Sequence, residues 1–473
     1  MSFAGNSSLE TTPSLEKSTV VIFAVAIVVR LINLVSIDEL AGIAFAEDSP
    51  IYWHGAKAWL DSGYFSRISA DGFVPETERV PLYHLFLIPF RWAFGEALVP
   101  VLLVQSIIDS VTCVLIAKIC ATSSRRIGLI AGLLAALWPN LIIHSQLIFA
   151  ETLFVFLFTG FLYFAVQFMR TARWLELVYA GAICGLAILT RPVALFVPFL
   201  AALIVPCVVW RLRGRWLPGI GAALVMVMTT LLVLSPLLWR NATNFGTIQL
   251  TTQSGTHFLN WVVGYAVGLE QGKPFSQGSL EIQTRLHAKL EREGRKNLKE
   301  MGPFERSAAQ MEHVALELRQ ISVTTLARAW VSGAIINLAS PAIAIDPRIR
   351  HFNQRSLVNT TGHHLVDRVF EFLNGNDSRF VYWMVLGLFM SGVSCSLQFV
   401  GMIILLRTHF WPGVFGCLLI TYFLLINGPV GAPKYRLPFE PIMIIFQAIA
   451  LSSIGSWLGR VRDQLYRRLA LSQ

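Results

Sequence analysis

Acidic residues cluster in the segment between the first two long apolar runs of the chain. Asp38 and Glu39 open this segment, and Glu47 and Asp48 precede Tyr52. A carboxylate whose pKa is tuned by partial burial can accept the proton of a sugar hydroxyl or another hydroxyl. An acidic loop that only obeys the charge bias of membrane proteins has the same composition. The segment therefore predicts a general base without selecting one carboxylate.

A further acid, Glu151, begins an apolar stretch that continues to Val166. An acidic residue in the first turn of a helix is favoured by the helix dipole, which explains Glu151 without any function. Its predicted position is nevertheless the same membrane surface as that of Asp48. Two carboxylates that converge from different loops make a better candidate site than one.

Basic residues lie at the ends of apolar runs on this same side, namely Arg79, Arg191, Arg240, Lys434 and Arg436. Basic residues of membrane proteins are normally retained on the cytoplasmic side. A cation kept on the other side at a helix end is more often paired or ligand-binding than idle, and phosphate is the ligand that Arg and Lys suit best. Contact of these side chains with lipid headgroups is the alternative.

The segment after Trp239 is rich in amide and hydroxyl groups, beginning with Arg240, Asn241 and Thr243. Such groups suit the hydroxyls of a sugar, and they equally suit turns and helix caps. We interpret the segment as a candidate wall of a substrate pocket.

The elements that must position these residues are membrane helices. Of 473 residues, 55% are hydrophobic and 14% are charged, and the mean hydropathy is +0.60. A soluble domain carries about a quarter of its residues as charged ones. Apolar runs long enough to cross about 30 Å of hydrocarbon occupy the ranges 19–37, 97–120, 126–143, 148–168, 174–190, 192–210, 217–239, 380–406, 410–427 and 438–458. We predict an all-α polytopic membrane protein, a bundle of about ten transmembrane helices with long extracytoplasmic loops.

Basic clusters orient this bundle, because Lys and Arg stay in short cytoplasmic loops. Clusters near Arg125, Arg170 and Arg213 and in the C-terminal tail fall on alternate connections, so both termini are predicted to be cytoplasmic. These loops explain the net charge of +10, and no nucleic-acid partner is needed to account for it.

The predicted parts of the chain are an N-terminal transmembrane catalytic module (1–239) that includes the first extracytoplasmic loop (38–96), an extracytoplasmic loop with amphipathic helices (240–379), and C-terminal transmembrane helices with a basic cytoplasmic tail (380–473). In the middle part, the charged stretch 280–320 is typical of a solvated helix pair. The apolar segment 323–345 is placed in the membrane interface, because a span there would reverse the side of the later basic loops.

Absent motifs narrow the chemistry. The chain has no phosphate-binding Gly-rich loop after a strand, no zincin-type His pair and no cysteines spaced as metal ligands. No predicted cytoplasmic segment is large enough to bind a nucleotide sugar. A substrate delivered through the lipid fits better, with a carboxylate that activates the acceptor and cations that neutralise a departing phosphate.

The order of these motifs resembles the GT-C membrane glycosyltransferases, especially bacterial proteins similar to glycosyltransferase family 39, which include protein mannosyltransferases and the aminoarabinose transferases of lipid A. The motifs are Glu47-Asp48 with Tyr52 and Ala56, Arg79-x-Pro81-x-Tyr83, Glu151 at the start of a helix, Gly185-Leu186-Ala187-x-Leu189-Thr190-Arg191-Pro192, Arg240-Asn241-x-x-x-Phe245-Gly246, and Lys434-Tyr435-Arg436-Leu437-Pro438 with Pro441. The resemblance covers nearly the whole chain.

The resemblance implies a polyprenyl-phosphate sugar as donor, inversion at the anomeric carbon and a general base in the first extracytoplasmic loop. Carried over by motif, Asp48 is that base and Glu151 is a second acid that supports the site. Arg79, Lys434 and Arg436, with Arg191, are the candidates for binding the donor phosphate. The remaining pocket residues are Glu47, Tyr52, Tyr83, Arg240 and Asn241.

The chain also departs from the family pattern. Paired acids often follow the first span directly, and here Asp38 and Glu39 occupy that place, so Asp38 is an alternative base. Asp48 is preferred because Tyr52 and Ala56 follow it. The sequence ends soon after the Arg-Leu-Pro segment, where some relatives have added spans or a soluble domain, so we expect acceptor recognition to fall mostly to the loop 240–379.

We therefore predict an inverting glycosyltransferase of the bacterial inner membrane that acts on a cell-envelope glycan, lipid or protein. A secondary transporter and a polymerase or ligase of lipid-linked glycans are the alternatives. The candidate charges cluster at helix ends rather than at mid-membrane, which disfavours the transporter. The sequence names neither the sugar nor the acceptor, and it leaves open whether a divalent cation assists.

Overall fold

The computed structural model describes residues 13–37, 44–45, 48–70, 72–350, 352 and 357–470. In chain order its α-helices are α1 (Pro13–Val35), α2 (Ser49–Ser62), α3 (Leu82–Phe94), α4 (Val99–Ala121), α5 (Arg125–Ala136), α6 (Pro139–His144), α7 (Glu151–Thr171), α8 (Trp174–Thr190), α9 (Val197–Arg213), α10 (Leu217–Phe245), α11 (Gln253–Thr256), α12 (Tyr265–Glu270), α13 (Phe275–Arg292), α14 (Pro303–Leu318), α15 (Val323–Ala339), α16 (Pro347–Arg350), α17 (Leu365–Asn374), α18 (Ser378–Thr408), α19 (Phe410–Asn427) and α20 (Glu440–Ala470). Short 3-10 helices cover Pro192–Ala194, Ala342–Ile345, Leu357–Asn359 and Pro433–Phe439, and a π-helix covers His257–Gly264.

Long apolar helices confirm the predicted fold class. Within the described residues, 8 helices are long and apolar enough to cross a membrane: Glu16–Val35, Val99–Ala121, Glu151–Thr171, Pro192–Arg213, Leu217–Phe245, Ser378–Thr408, Phe410–Asn427 and Pro433–Trp457. Each coincides with a predicted span. The protein is an α-helical membrane protein.

Two other predicted spans are shorter helices. Helix α8 has 17 residues, which gives about 25 Å of length at 1.5 Å per residue. The predicted run 126–143 is divided between α5 and α6, because Trp138 adopts an extended conformation before Pro139. A residue before proline is restricted in this way. The carbonyl of Ala136 at this break accepts a hydrogen bond of 3.0 Å from the Arg30 guanidinium of α1.

Small residues allow α8 to pack closely against α10. A Cβ atom at Gly181 would lie 2.5 Å from the carbonyl oxygen of Met226, and one at Gly185 would lie 2.7 Å from the Cβ of Val233. Close backbone approach through small residues is typical of membrane helix pairs. Gly185, which opens the Gly-Leu-Ala motif, is therefore a packing residue.

The first inter-helix loop contains α2, a two-stranded hairpin and α3. The strands Ser66–Ser69 and Gly72–Pro75 pair antiparallel, with Ile68 opposite Phe73. Gly72 has a φ of 106°, a backbone conformation that favours glycine. This hairpin was not expected from the sequence, and it carries the chain back towards the start of α3.

The second large loop contains the predicted charged helix pair, as α13 and α14. Apolar side chains at helical spacing on α13, including Ile282, Leu286 and Leu290, are buried in a core of their own. A salt bridge between Arg285 and the buried Glu317 joins the two helices. Helix α15, in the segment predicted to be interfacial, is bent by 116° from α14.

Candidate active site

Asp48 lies between two cations that come from distant parts of the chain. It directly precedes α2, and its Oδ1 is 3.1 Å from Nη2 of Arg79. Its Oδ2 is 3.8 Å from Nζ of Lys434. The Asp48 side chain is 38% exposed, whereas Arg79 is 14% and Lys434 15% exposed. The structure thus brings together three residues that the sequence predicted as site residues, and the Asp48 carboxylate remains accessible from outside the protein.

Arg79 is aimed at Asp48 by a folded turn. The buried carboxylate of Glu76 accepts hydrogen bonds from the backbone N–H groups of Glu78 and Arg79, at 2.6 and 3.1 Å. The carbonyl of Thr77 accepts a bond of 2.8 Å from the N–H of Thr252 in the second large loop. Both loops therefore contribute to the conformation that presents the Arg79 guanidinium.

Glu151 and Arg191 form a second ion pair. Glu151 starts α7, Arg191 follows the last residue of α8, and Nη1 of Arg191 is 2.7 Å from Oε1 of Glu151. Both side chains are largely buried, at 7% and 17% exposed. Arg191 therefore supports the second acid in this structure, and its candidacy as a phosphate ligand stays a prediction.

Tyr52 lies between the two charge clusters. Its ring meets the Tyr83 ring edge to face at 5.0 Å, and the Arg79 guanidinium lies 5.9 Å from its centre. Burial raises the pKa of the Tyr52 phenol to about 12, Arg79 opposes this rise, and Glu151 adds to it. The phenol therefore stays neutral and lies within electrostatic reach of both carboxylates.

Tyr83 and His84, which both pack against Tyr52, are fully buried. The Tyr83 hydroxyl donates a hydrogen bond of 2.7 Å to Oε1 of Gln105 in α4, and burial raises the pKa of the phenol well above its usual value. The His84 ring lies 5.3 Å from the Tyr52 ring and fits against Gly55, where a Cβ atom would lie 2.7 Å from it. Burial lowers the pKa of His84 to about 4, so this histidine is neutral at pH 7.

Arg436 has a different environment from its neighbour Lys434. Its Nε donates to Oε1 of Glu440 at 2.7 Å, and its Nη1 donates to the carbonyls of Leu338 and Ser340. Asn140 donates to the same Glu440 oxygen at 2.8 Å. The geometry makes Arg436 a residue that holds the Pro433–Phe439 segment, whereas its predicted phosphate contact has no support from these partners.

Arg240 and Asn241 shape the polar segment after α10. Arg240 donates two hydrogen bonds to Oδ1 of Asn241, and its guanidinium lies 5.3 Å from the Phe65 ring centre. Asn241 donates to the carbonyls of Gln249 and Leu250. These contacts fold the segment back towards the first loop. Glu47, Asp38 and Glu39 lie outside the described residues.

Among the residues that the structure describes, no group of three or more His, Cys, Asp and Glu side chains could hold a metal ion. Gln105 bonds to the predicted pocket residue Tyr83 and was not expected at the site from the sequence. Its signal was a strongly polar amide inside an otherwise apolar run, since such residues in membrane helices are rare and tend to be functional.

Comparison with known proteins agrees with this architecture. Residues 79–239 match the family model of dolichyl-phosphate-mannose-protein mannosyltransferases. No curated protein sequence matches the chain. The structure is similar to the archaeal oligosaccharyltransferase AglB from Archaeoglobus fulgidus, solved with an inhibitory peptide and a dolichol-phosphate, with a TM-score of 0.54, 15% identity, and coverage of 98% of this chain and 52% of AglB. The chain spans about half the length of that protein.

A more distant similarity is to ArnT from Cupriavidus metallidurans bound to undecaprenyl phosphate, with a TM-score of 0.41, 15% identity, and coverage of 92% of this chain and 77% of ArnT. The match to AglB and the match to the family model together show that the chain has the GT-C fold of membrane glycosyltransferases. The resemblance predicted from the sequence motifs is confirmed at this level.

Proposed function

We propose that this protein is an inverting glycosyltransferase that moves a sugar from a polyprenyl-phosphate donor to a hydroxyl-bearing glycan, lipid or protein of the cell envelope. The reaction takes place at the extracytoplasmic face of the bacterial inner membrane, with both termini in the cytoplasm. The matched family model, described by a dolichyl-phosphate-linked donor, and the dolichol-phosphate solved with AglB support a lipid-phosphate donor.

The observation that carries this proposal is the arrangement around Asp48. A half-exposed carboxylate faces one cation with each of its oxygens, and the two cations come from loops far apart in sequence. A purely structural ion pair needs no second cation and no opening to solvent. A carboxylate for the acceptor proton beside cations for a departing phosphate is the arrangement that this transfer requires.

Each group then has a defined part in the reaction. The acceptor hydroxyl attacks the anomeric carbon from the face opposite the phosphate, the new C–O bond forms, and the bond from the sugar to the phosphate oxygen breaks. Asp48 takes the hydroxyl proton. Arg79 and Lys434 move from Asp48 to the donor phosphate and neutralise the charge that the polyprenyl phosphate carries away. The Glu151–Arg191 pair and Tyr52 hold the pocket around the sugar.

The test is sugar transfer by the purified protein reconstituted in lipid vesicles. A panel of radiolabelled polyprenyl-phosphate sugars is offered together with envelope extracts, and wild type is compared with Asp48→Asn. General-base catalysis contributes typically about 10²–10⁴-fold to a rate, and we expect a loss of that size with donor binding retained. Asp61→Asn is the matched control, because Asp61 lies near the end of α2, the helix that Asp48 precedes, in an exposed pair with Lys57.

Full activity of Asp48→Asn would remove Asp48 as the base and direct the search to Asp38 and Glu151. Absence of transfer by the wild type from every donor in the panel would contradict the proposed function and favour transport or polymerisation of lipid-linked glycans.

A further inference from the structure

Gln105 is a buried amide in the transmembrane helix α4, and both its oxygen and its nitrogen make hydrogen bonds. It is 1% exposed. Its Oε1 accepts a bond of 2.7 Å from the Tyr83 hydroxyl. Its Nε2 donates to the carbonyls of Ser145 and Leu147, at 3.2 and 2.8 Å. One acceptor and two donors at this reach are a combination that glutamine provides, whereas an ionised Glu has no donor and Asn is shorter by one methylene group.

The partners of Gln105 belong to the two halves of the candidate site. Tyr83 packs against Tyr52, which lies one helical turn after Asp48. Ser145 and Leu147 lie in the turn that leads from α6 to Glu151, the first residue of α7. The Gln105 side chain thus connects the Asp48 half with the Glu151 half through one amide. A second link is the backbone bond of 3.1 Å from the N–H of Ile148 to the carbonyl of Ala44.

We propose that Gln105 is a positioning residue that sets the separation and orientation of Asp48 relative to Glu151. This inference rests on the proposed function, because it assigns Gln105 a part in the same transfer reaction. Gln105 acts through its neighbours and touches neither donor nor acceptor. An unpaired amide or hydroxyl is costly in a membrane bundle, so the bonds from Gln105 favour one position of Tyr83 relative to the Ser145–Leu147 turn.

The experiment uses the full-length protein in lipid nanodiscs with Gln105→Met, which keeps the length of the side chain and removes its hydrogen bonds. A displacement of about 1 Å can lower a rate about 100-fold. We expect a fall in kcat of roughly 10- to 100-fold and a change in donor KM of less than about threefold, since the Glu76 turn that holds Arg79 does not involve Gln105. Tyr83→Phe removes one of the three bonds and is expected to give a smaller fall in kcat.

Gln398→Met is the matched control. Gln398 is another buried glutamine of a membrane helix, with bonds to Ser394 and Gln447 in α18 and α20. If loss of any buried glutamine lowers kcat through general loosening, both variants lose activity to a similar degree. We expect Gln398→Met to keep the wild-type kcat.

Two readouts separate positioning from a merely structural role. In a Glu151→Gln background, we expect Gln105→Met to lower the residual rate by less than about threefold, because the group it positions is already gone. An equal fold-loss in both backgrounds overturns the proposal. The second readout is the structure of Gln105→Met by electron cryomicroscopy, in which we expect Glu151 to shift relative to Asp48.

Unmoved carboxylates in that structure also overturn the proposal, and this result does not depend on any activity. The failure of the proposed function is a different outcome, namely no transfer by the wild type from any polyprenyl-phosphate sugar. The structural comparison still decides the role of Gln105 in that case.

Discussion

Two charged clusters in this protein use the same side-chain chemistry in different surroundings. Asp48 meets Arg79 and Lys434 at the end of the helical bundle, with 38% of its side chain exposed. Asp109 meets Arg30 inside the bundle at 2.6 Å, and these two side chains are 2% and 0% exposed. Arg30 also donates to the carbonyls of Ala26 and Ala136 and to the sulfur of Cys113.

The difference lies in how completely each charge is used. The Arg30 guanidinium is enclosed by its partners, and it bonds to the carbonyl at the break between α5 and α6. Removing Asp109 or Arg30 leaves the other as a buried charge without its partner, so the pair maintains the architecture. Asp48 faces Arg79 at 3.1 Å and Lys434 at 3.8 Å, and its own side chain stays partly exposed. The structural ion pair is buried with its hydrogen-bonding groups paired, whereas the candidate catalytic carboxylate is partly exposed.

The largest effect expected from this comparison is on stability. Asp109→Leu leaves Arg30 as an uncompensated buried charge, which costs about 3–5 kcal/mol of unfolding free energy. Replacing both residues, as Arg30→Met with Asp109→Leu, restores part of that loss, because no charge remains buried although the carbonyl of Ala136 loses its donor. Thermal and denaturant unfolding in detergent measures both variants. A loss below about 1 kcal/mol in the single variant would show that the buried pair is dispensable and would end the contrast.

Lys434→Gln tests the other cluster. A hydrogen bond to a charged group contributes about 1.5–3 kcal/mol, so we expect the donor KM to rise roughly 10- to 100-fold. We expect Lys434→Gln to change the unfolding free energy by less than about 1 kcal/mol, because the ion pair of Lys434 with Asp48 is long and partly exposed. Transfer kinetics over a range of donor concentrations measure the effect. Lys57→Gln, in an exposed pair with Asp61, is the control, and an equal KM in both variants would argue against a phosphate site.

His84 sharpens the comparison, because it is buried near the site and the cation Arg79 lowers its pKa further. Burial lowers its pKa from 6.5 to about 4, so between these values the unfolded chain binds a proton that the folded chain does not. Stability therefore decreases as the pH falls through this window, by about 2 kcal/mol between pH 7 and pH 5. The variant His84→Gln should lack this part of the pH dependence. Unfolding of both proteins at the two pH values measures it, and parallel curves would place His84 in a more polar environment.

Much of the fold and of the candidate site was accessible from sequence. The long apolar helices coincide with predicted spans, and the charged stretch 280–320 forms a helix pair as predicted. Asp48, Arg79 and Lys434 were chosen from three separate motifs and lie together in the structure. Charged residues that break the usual charge bias of membrane loops can be identified from the sequence without knowing their contacts.

Other features depended on partners far along the chain. Arg436 and Lys434 belong to one short motif, but Glu440, Leu338 and Ser340 give Arg436 a buried position of its own. The break before Pro139 lies in a run that is apolar throughout, and the Arg30 bond to the carbonyl of Ala136 satisfies the backbone there.

The sequence by itself determined which segments enter the membrane and which residue types meet at its surface. The free energy of transferring an apolar run into the membrane is a sum over its residues, and the retention of basic residues in cytoplasmic loops also depends on local sequence. Both can therefore be predicted without a structure. The tertiary structure decided which polar groups pair. Gln105 bonds to carbonyls 40 and 42 residues away, and a hydrogen bond depends on the distance and direction between its two atoms. Only the packed helices supply that geometry.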